Sequence, residues 1–213
     1  MLTDDYGVLP TDSRVEQFRG AVMSVRTDEV RFGESVHARD YVLHFGAVAV
    51  FAMDAEDRVL LISQYRHPVA AKLWEIPAGL LDDPDESPLA AAQRELAEEA
   101  GFTASDWYRL TEYATTPGGS TELIRIYLAR GLQELEYRPM TNEAEEQDLP
   151  IAFVALDDLV AAALAGTLAS TSLVVGALAA TAARDRDYAT LGAADAPWPM
   201  REHLLAHDRV FRR

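Results

Sequence analysis

Residues 79–102 read GLLDDPDESPLAAAQRELAEEAGF. Ser87-Pro88 has the form of an N-cap followed by proline at the first helical position, and Gly101 is the left-handed residue expected just past a helix end. The spacing therefore predicts a helix of about three turns between them. At roughly 100° per residue, Leu89, Ala92, Leu96 and Ala100 fall in one apolar quadrant, which must face a core. Glu95, Glu98 and Glu99 point away from it. Carboxylates at i, i+3 and i+4 repel one another by roughly 0.2–0.5 kcal/mol per pair, so the helix alone gains nothing from them and a cation reverses the sign. An all-oxygen donor set suits hard Mg²⁺ or Mn²⁺ rather than zinc, and such ions bind and activate phosphate groups.

The order of residues resembles the Nudix box, with Gly79, Glu86, Arg94, Glu95, Leu96, Glu98, Glu99, Gly101 and Phe102 on its defining positions and Phe in place of the usual final aliphatic. Six residues rather than five separate Gly79 from Glu86, so either the loop carries an insertion or Asp85 takes the acidic position. The regular spacing of seven residues between Glu86 and Arg94 favours the insertion. A plain solvated acidic helix is the commoner meaning of a Glu-Glu pair, but nine positions in order argue against it here.

Composition agrees without adding specificity. A chain of 213 residues, 49% hydrophobic, can bury one good core with an added subdomain. The absence of cysteine excludes disulfides, thiolate zinc sites and cysteine nucleophiles, and fits a cytoplasmic location. His37, His44, His67, His203 and His207 show no metal-ligand spacing. The start, MLTDDYGVLPTDS, has no basic region before an apolar core, so a mobile tail is expected there rather than a signal peptide. Nineteen basic residues against 35 acidic ones give a formal charge of −16, which repels nucleic acid. A small anionic substrate is repelled as well, so bound metal and a few placed arginines must create a local positive site.

Leu159 to Ala183 is a run of 25 residues without charge, long enough to span a bilayer. It is mostly Ala, Gly, Ser and Thr, and Gly166 and Ser170 or Thr171 punctuate it, so two Ala-rich helices on a core are expected and no membrane span. The first starts at Asp157-Asp158 and the second runs to about Arg186. A short helix is expected near Met200 to Phe211. Elsewhere the pattern is β. Ala47 to Met53 and Val59 to Tyr65 read as a hairpin, Leu73 to Pro77 leads into the Gly79 loop, and Tyr108 to Thr115, Leu123 to Ala129 and Ile151 to Leu156 are further strands. Ala21 to Val30 and Val36 to Phe45 alternate well enough for two strands ahead of the core.

QYRHP (64–68), LWEIPAGLLD (73–82) and a proline fifteen residues after the box, Pro117, resemble the ADP-ribose pyrophosphatase branch of the Nudix hydrolases over roughly residues 15 to 185. That resemblance implies an α/β (α+β) fold, an α/β/α Nudix sandwich around a mixed sheet with an N-terminal β extension and a C-terminal Ala-rich helix. The expected divisions are a tail at 1–14, an N-terminal β subdomain at 15–45, the hydrolase domain at 46–187 and a C-terminal tail at 188–213. It also implies two or three Mg²⁺ ions, with Mn²⁺ as a substitute, on Glu95, Glu98, Glu99 and the Ala78 carbonyl. Arg66, Glu75, Arg39, Pro117 and Gly118 become the substrate contacts, and Arg94 and Glu86 pair within the box. A water-positioning carboxylate is expected in NEAEEQDLP (142–150), at Glu146 or else Glu145. Relatives hold adenine between N-terminal strands of two subunits, which implies a homodimer with Arg39 on one side of the base. Val22, Met23 or Phe18 is left for the other side. The expected activity is Mg²⁺-dependent cleavage of ADP-ribose to AMP and ribose 5-phosphate. The alternatives are another nucleoside diphosphate sugar, NADH, or a non-catalytic ADP-ribose-sensing module.

Overall fold

The computed structural model describes residues 2–139 and 149–212, and the apolar runs of the sequence become its strands. In chain order the elements are β1 (Thr11–Arg19), β2 (Met23–Phe32), β3 (Ser35–His44), β4 (Ala47–Ala52), β5 (Arg58–Arg66), β6 (Ala71–Glu75), β7 (Ala78–Leu80), α1 (Pro88–Ala100), β8 (Phe102–Ala114), β9 (Leu123–Glu134), β10 (Ile151–Ala155), α2 (Leu156–Leu164), α3 (Thr171–Arg184), β11 (Gly192–Ala193) and α4 (Pro199–Ala206). The fold is mixed α+β. The chain divides into two units, one of Ala47–Tyr113 and Ile124–Ala196, the other of Met1–Gly46, Ala114–Leu123 and Pro197–Arg213.

In the first unit, AVAVFA of β4 is buried at all six positions, as a strand covered on both faces must be. It lies inside a mixed sheet ordered β11-β8-β9-β4-β7, parallel to β9 and antiparallel to β7. A second, antiparallel sheet runs β10-β5-β6. The expected hairpin between β4 and β5 is thus corrected: they sit in different sheets and share one isolated bridge, Met53 to Val59. Both edges of β4 are already taken by β7 and β9, so the returning strand pairs elsewhere.

Pairing of Ala49 with Ala78 sets the start of the box beside β4, and α1 packs against β4 and β7, with its Ala91, Ala92 and Leu96 wholly buried. The uncharged 159–183 run becomes α2 and α3, and among the described residues no helix is long and apolar enough to cross a membrane. The second helix ends at Arg184 and the first starts one residue early, at Leu156. Within α3, Gly176 lies over Phe51: a Cβ there would stand 2.7 Å from Phe51 Cδ2, and that ring has no exposed surface. Gly176→Ala gains about 1 kcal/mol of helix propensity, yet overpacking a fixed ring costs about 1–3 kcal/mol. A lower Tm is the expected net result in a thermal melt, and a raised one would mean that the ring gives way.

The second unit is built on an antiparallel sheet β1-β2-β3. It has three strands where alternation suggested two, because TDSRVEQFR (11–19), partly assigned to a tail, pairs with β2 despite register shifts on either side of Ser13–Glu16. Backbone bonds from Val42 N to Gly119 O and from Thr121 N to Val42 O, both 2.9 Å, dock the 117–121 turn on β3. Phe211 closes on Phe45, ring centroids 4.8 Å apart, and donates its N–H to His44 O. The C-terminal helix is α4, shorter than the sequence suggested. Asp28, fully buried on β2, ties this unit together by facing Arg14, Arg209 and the Tyr41 hydroxyl.

Candidate active site

The helix ends are capped as the sequence requires. Ser87 Oγ accepts from Ala90 N at 3.2 Å, Pro88 follows, and Gly101 at φ +74° returns its N–H to Ala97 O. The acidic side of the helix is not solvated. Glu95 is 6% exposed and Glu99 1%, because the chain of β7 covers the side that the apolar pattern left open. Arg94 makes the burial of Glu95 tolerable. Its Nε and Nη2 bind both oxygens of Glu86 at 3.0 Å, and its Nη1 reaches Glu95 at 2.7 Å and Glu98 at 2.9 Å. These bonds, with Glu86 the largest contributor, raise the guanidinium pKa above its ordinary value. Glu86, rather than Asp85, is therefore the loop carboxylate that pairs with Arg94: Asp85 lies exposed in a turn where its N–H bonds Asp83 Oδ1.

Glu99 Oε2 accepts from the Ala78 N–H at 2.7 Å, so the residue expected to act through its carbonyl also anchors the Glu99 carboxylate. Gly79 lies under Glu95: a Cβ on it would fall 1.8 Å from Glu95 Oε1. Among the described residues no three acidic or histidine side chains converge as a finished cage, the glutamates being turned to Arg94 and the Ala78 N–H. The donor set nevertheless fits a hard divalent cation. One guanidinium faces three carboxylates, a sum of −2 for those four groups, and all side-chain donors are oxygen.

Arg66 and Glu75 form a two-point fork, Nε to Oε1 at 2.9 Å and Nη2 to Oε2 at 2.8 Å, across neighbouring strands β5 and β6. In the other unit, Arg39, Pro117 and Gly118 line one cavity of about 410 Å³ together with Tyr6, Tyr41 and His203. The Arg39 guanidinium stands over the Phe32 ring, 5.2 Å from its centroid. Glu145 and Glu146 lie outside the described residues. Arg138 escaped the sequence analysis: its Nε donates to the carbonyl of Glu98, 40 residues away, and no local pattern announces such a contact.

The NUDIX domain profile matches residues 43–172, well over half of the chain. The chain belongs to the Nudix family. As a Nudix protein it is 41% identical over 161 residues to an ADP-ribose pyrophosphatase of Mycobacterium tuberculosis, covering 75% of this chain and 77% of that one. It is 35% identical over 136 residues to the ADP-ribose pyrophosphatase of Bacillus subtilis, covering 63% and 73%. A crystal structure described as an ADP compounds hydrolase superposes with a TM-score of 0.72 at 19% identity, over 87% of this chain and all of the other, a likeness of fold. The Nudix helix is thus α1, and with six residues between Gly79 and Glu86 the Glu86–Arg94 ion pair forms.

Proposed function

We propose that this Nudix protein is a Mg²⁺-dependent pyrophosphohydrolase that cleaves ADP-ribose to AMP and ribose 5-phosphate. The observation that carries it is the carboxylate set of α1, with Glu95 and Glu98 on the Arg94 guanidinium, Glu95 over the Gly79 backbone and Glu99 on the Ala78 N–H. The named activity of the two pyrophosphatase relatives supports the substrate. Glu95, Glu98, Glu99 and the Ala78 carbonyl would hold the ions, which neutralise diphosphate oxygens and make a water a better nucleophile. Arg66, steadied by Glu75, contacts the diphosphate as a planar cation suited to it. Arg39, Pro117 and Gly118 take the nucleoside end. Water attacks one phosphorus, the bridging P–O bond breaks, and the water's proton passes to a carboxylate, which we assign to Glu146.

A substrate panel with Mg²⁺ and with Mn²⁺, read by released nucleoside monophosphate, tests the proposal. ADP-ribose should lead NADH, GDP-mannose and other nucleoside diphosphate sugars. Binding of ADP-ribose without any turnover would instead make the chain a sensing module, a reading that its intact box disfavours. Glu146→Gln should lower kcat about 10²–10⁴-fold with metal and substrate binding nearly unchanged. If Glu145→Gln is the crippled variant, the water-positioning role belongs to Glu145.

A homodimer in the cytoplasm is part of the same proposal. Val15, Phe18 and Val36 pair with Thr27, Val25 and Arg31, so with Met23 they share one side of the β1-β2-β3 sheet. All four are at least 40% exposed, an apolar sheet face that a second copy would cover. Light scattering at micromolar concentration should give twice the chain mass, and cell fractionation checks the location.

A further inference from the structure

The last turn of an α-helix leaves its final carbonyls without intrahelical donors, and it carries the negative end of the helix dipole. In α1 that turn carries Glu98 and Glu99. Gly101 N–H serves Ala97 O, and Gly101 O accepts from Leu135 N at 2.8 Å, which draws the chain after β9 alongside the helix end. Arg138 comes three residues later. Its Nε donates to Glu98 O at 2.5 Å, while its Cβ and Cγ lie 3.7 and 3.8 Å from where a Cβ on Gly101 would stand. The side chain thus supplies an open carbonyl with a donor, the negative helix end with a positive charge, and the left-handed cap with apolar cover.

We infer that Arg138 is a positioning residue for the metal-binding turn: by holding the Glu98 carbonyl it keeps the Glu98 and Glu99 carboxylates where an ion needs them. This rests on the metal role given to α1 in the proposed function. Small displacements matter here, since a ligand or reacting group misplaced by about 1 Å can cost about a hundredfold in rate. The Arg138 bond to α1 is made to the backbone of Glu98, so its loss should act on metal affinity and turnover more than on substrate affinity.

Arg138→Met keeps the stem over Gly101 and removes the donor, while Arg138→Lys keeps a donor and a charge. Calorimetric titration with Mn²⁺ reads the metal without any turnover. For Arg138→Met the expected result is about tenfold weaker Mn²⁺ binding and a kcat on ADP-ribose with Mg²⁺ lower by about 10–100-fold. KM for ADP-ribose should stay within about threefold, and Arg138→Lys should recover part of both losses. Wild-type Mn²⁺ affinity in a folded Arg138→Met overturns the inference, and so does a Lys variant as impaired as the Met variant. If Arg138→Met does not melt cooperatively, the Lys variant decides. Several-fold weaker Mn²⁺ binding at unchanged Tm supports positioning, and wild-type Mn²⁺ binding at lowered Tm overturns it. A wild-type protein inert toward ADP-ribose would sink the proposed function alone, because the Mn²⁺ titration still judges Arg138.

Discussion

Glu99→Gln should lower turnover by roughly a thousandfold or more while the protein melts almost where it did before. Glu99 is 1% exposed and its carboxylate accepts from the Ala78 N–H at 2.7 Å. The amide oxygen of Gln can keep that bond, and removing one negative charge from a crowded carboxylate cluster relieves burial cost. The apolar face of α1 is untouched. What disappears is one anionic group, proposed above to hold the ion. Binding to the folded state raises Tm by an amount that grows with the logarithm of affinity, so the upward shift expected from Mg²⁺ in the wild type should shrink in the variant. Full activity with Mg²⁺ in Glu99→Gln would remove the metal assignment of this helix.

Gly79→Ala is the second large effect, and its cause is steric. Gly79 does not sit in the left-handed region, so alanine meets no backbone strain there. Its Cβ, however, would fall 1.8, 2.1 and 2.4 Å from Oε1, Cδ and Cγ of Glu95, a side chain only 6% exposed. Either β7 moves or Glu95 abandons its place beside Arg94. The first outcome costs about 1–3 kcal/mol of stability as overpacking. The second costs roughly a hundredfold in activity, through displacement of a carboxylate proposed to hold the ion. The two are separable: a melt reads the first, and kcat with saturating Mg²⁺ reads the second. Gly79→Ala with wild-type kcat and Tm would mean that the Glu95 carboxylate is not confined over this backbone.

Most of the helix was legible from its own residues, since Ser87, Pro88 and Gly101 act on the groups next to them. The burial of Glu95 and Glu99 was not. A helical wheel finds the apolar quadrant but is blind to a second wall, and β7 provides that wall only because β4 pairs with it. The choice between Asp85 and Glu86 turned on which carboxylate reaches Arg94, and spacing favoured the one that does. The β4–β5 hairpin misled because adjacency in sequence favours pairing, whereas β4 is claimed on both sides by strands that arrive later. Arg138 and Glu98 are 40 residues apart, a separation at which no periodicity operates.

The unit that carries β1, β2 and β3 is assembled from three stretches of chain, the last of them Pro197–Arg213. On a ribosome its first strands emerge long before Trp198 and Phe211, which are 5% and 3% exposed once folded. At about 5–20 residues per second, the nascent hairpins wait on the order of ten to thirty seconds with Phe45 uncovered. Completion of this unit therefore waits for the synthesis of Pro197–Arg213. A chain stalled before Pro197 displays an unfinished apolar surface of the kind that chaperones and proteases recognise.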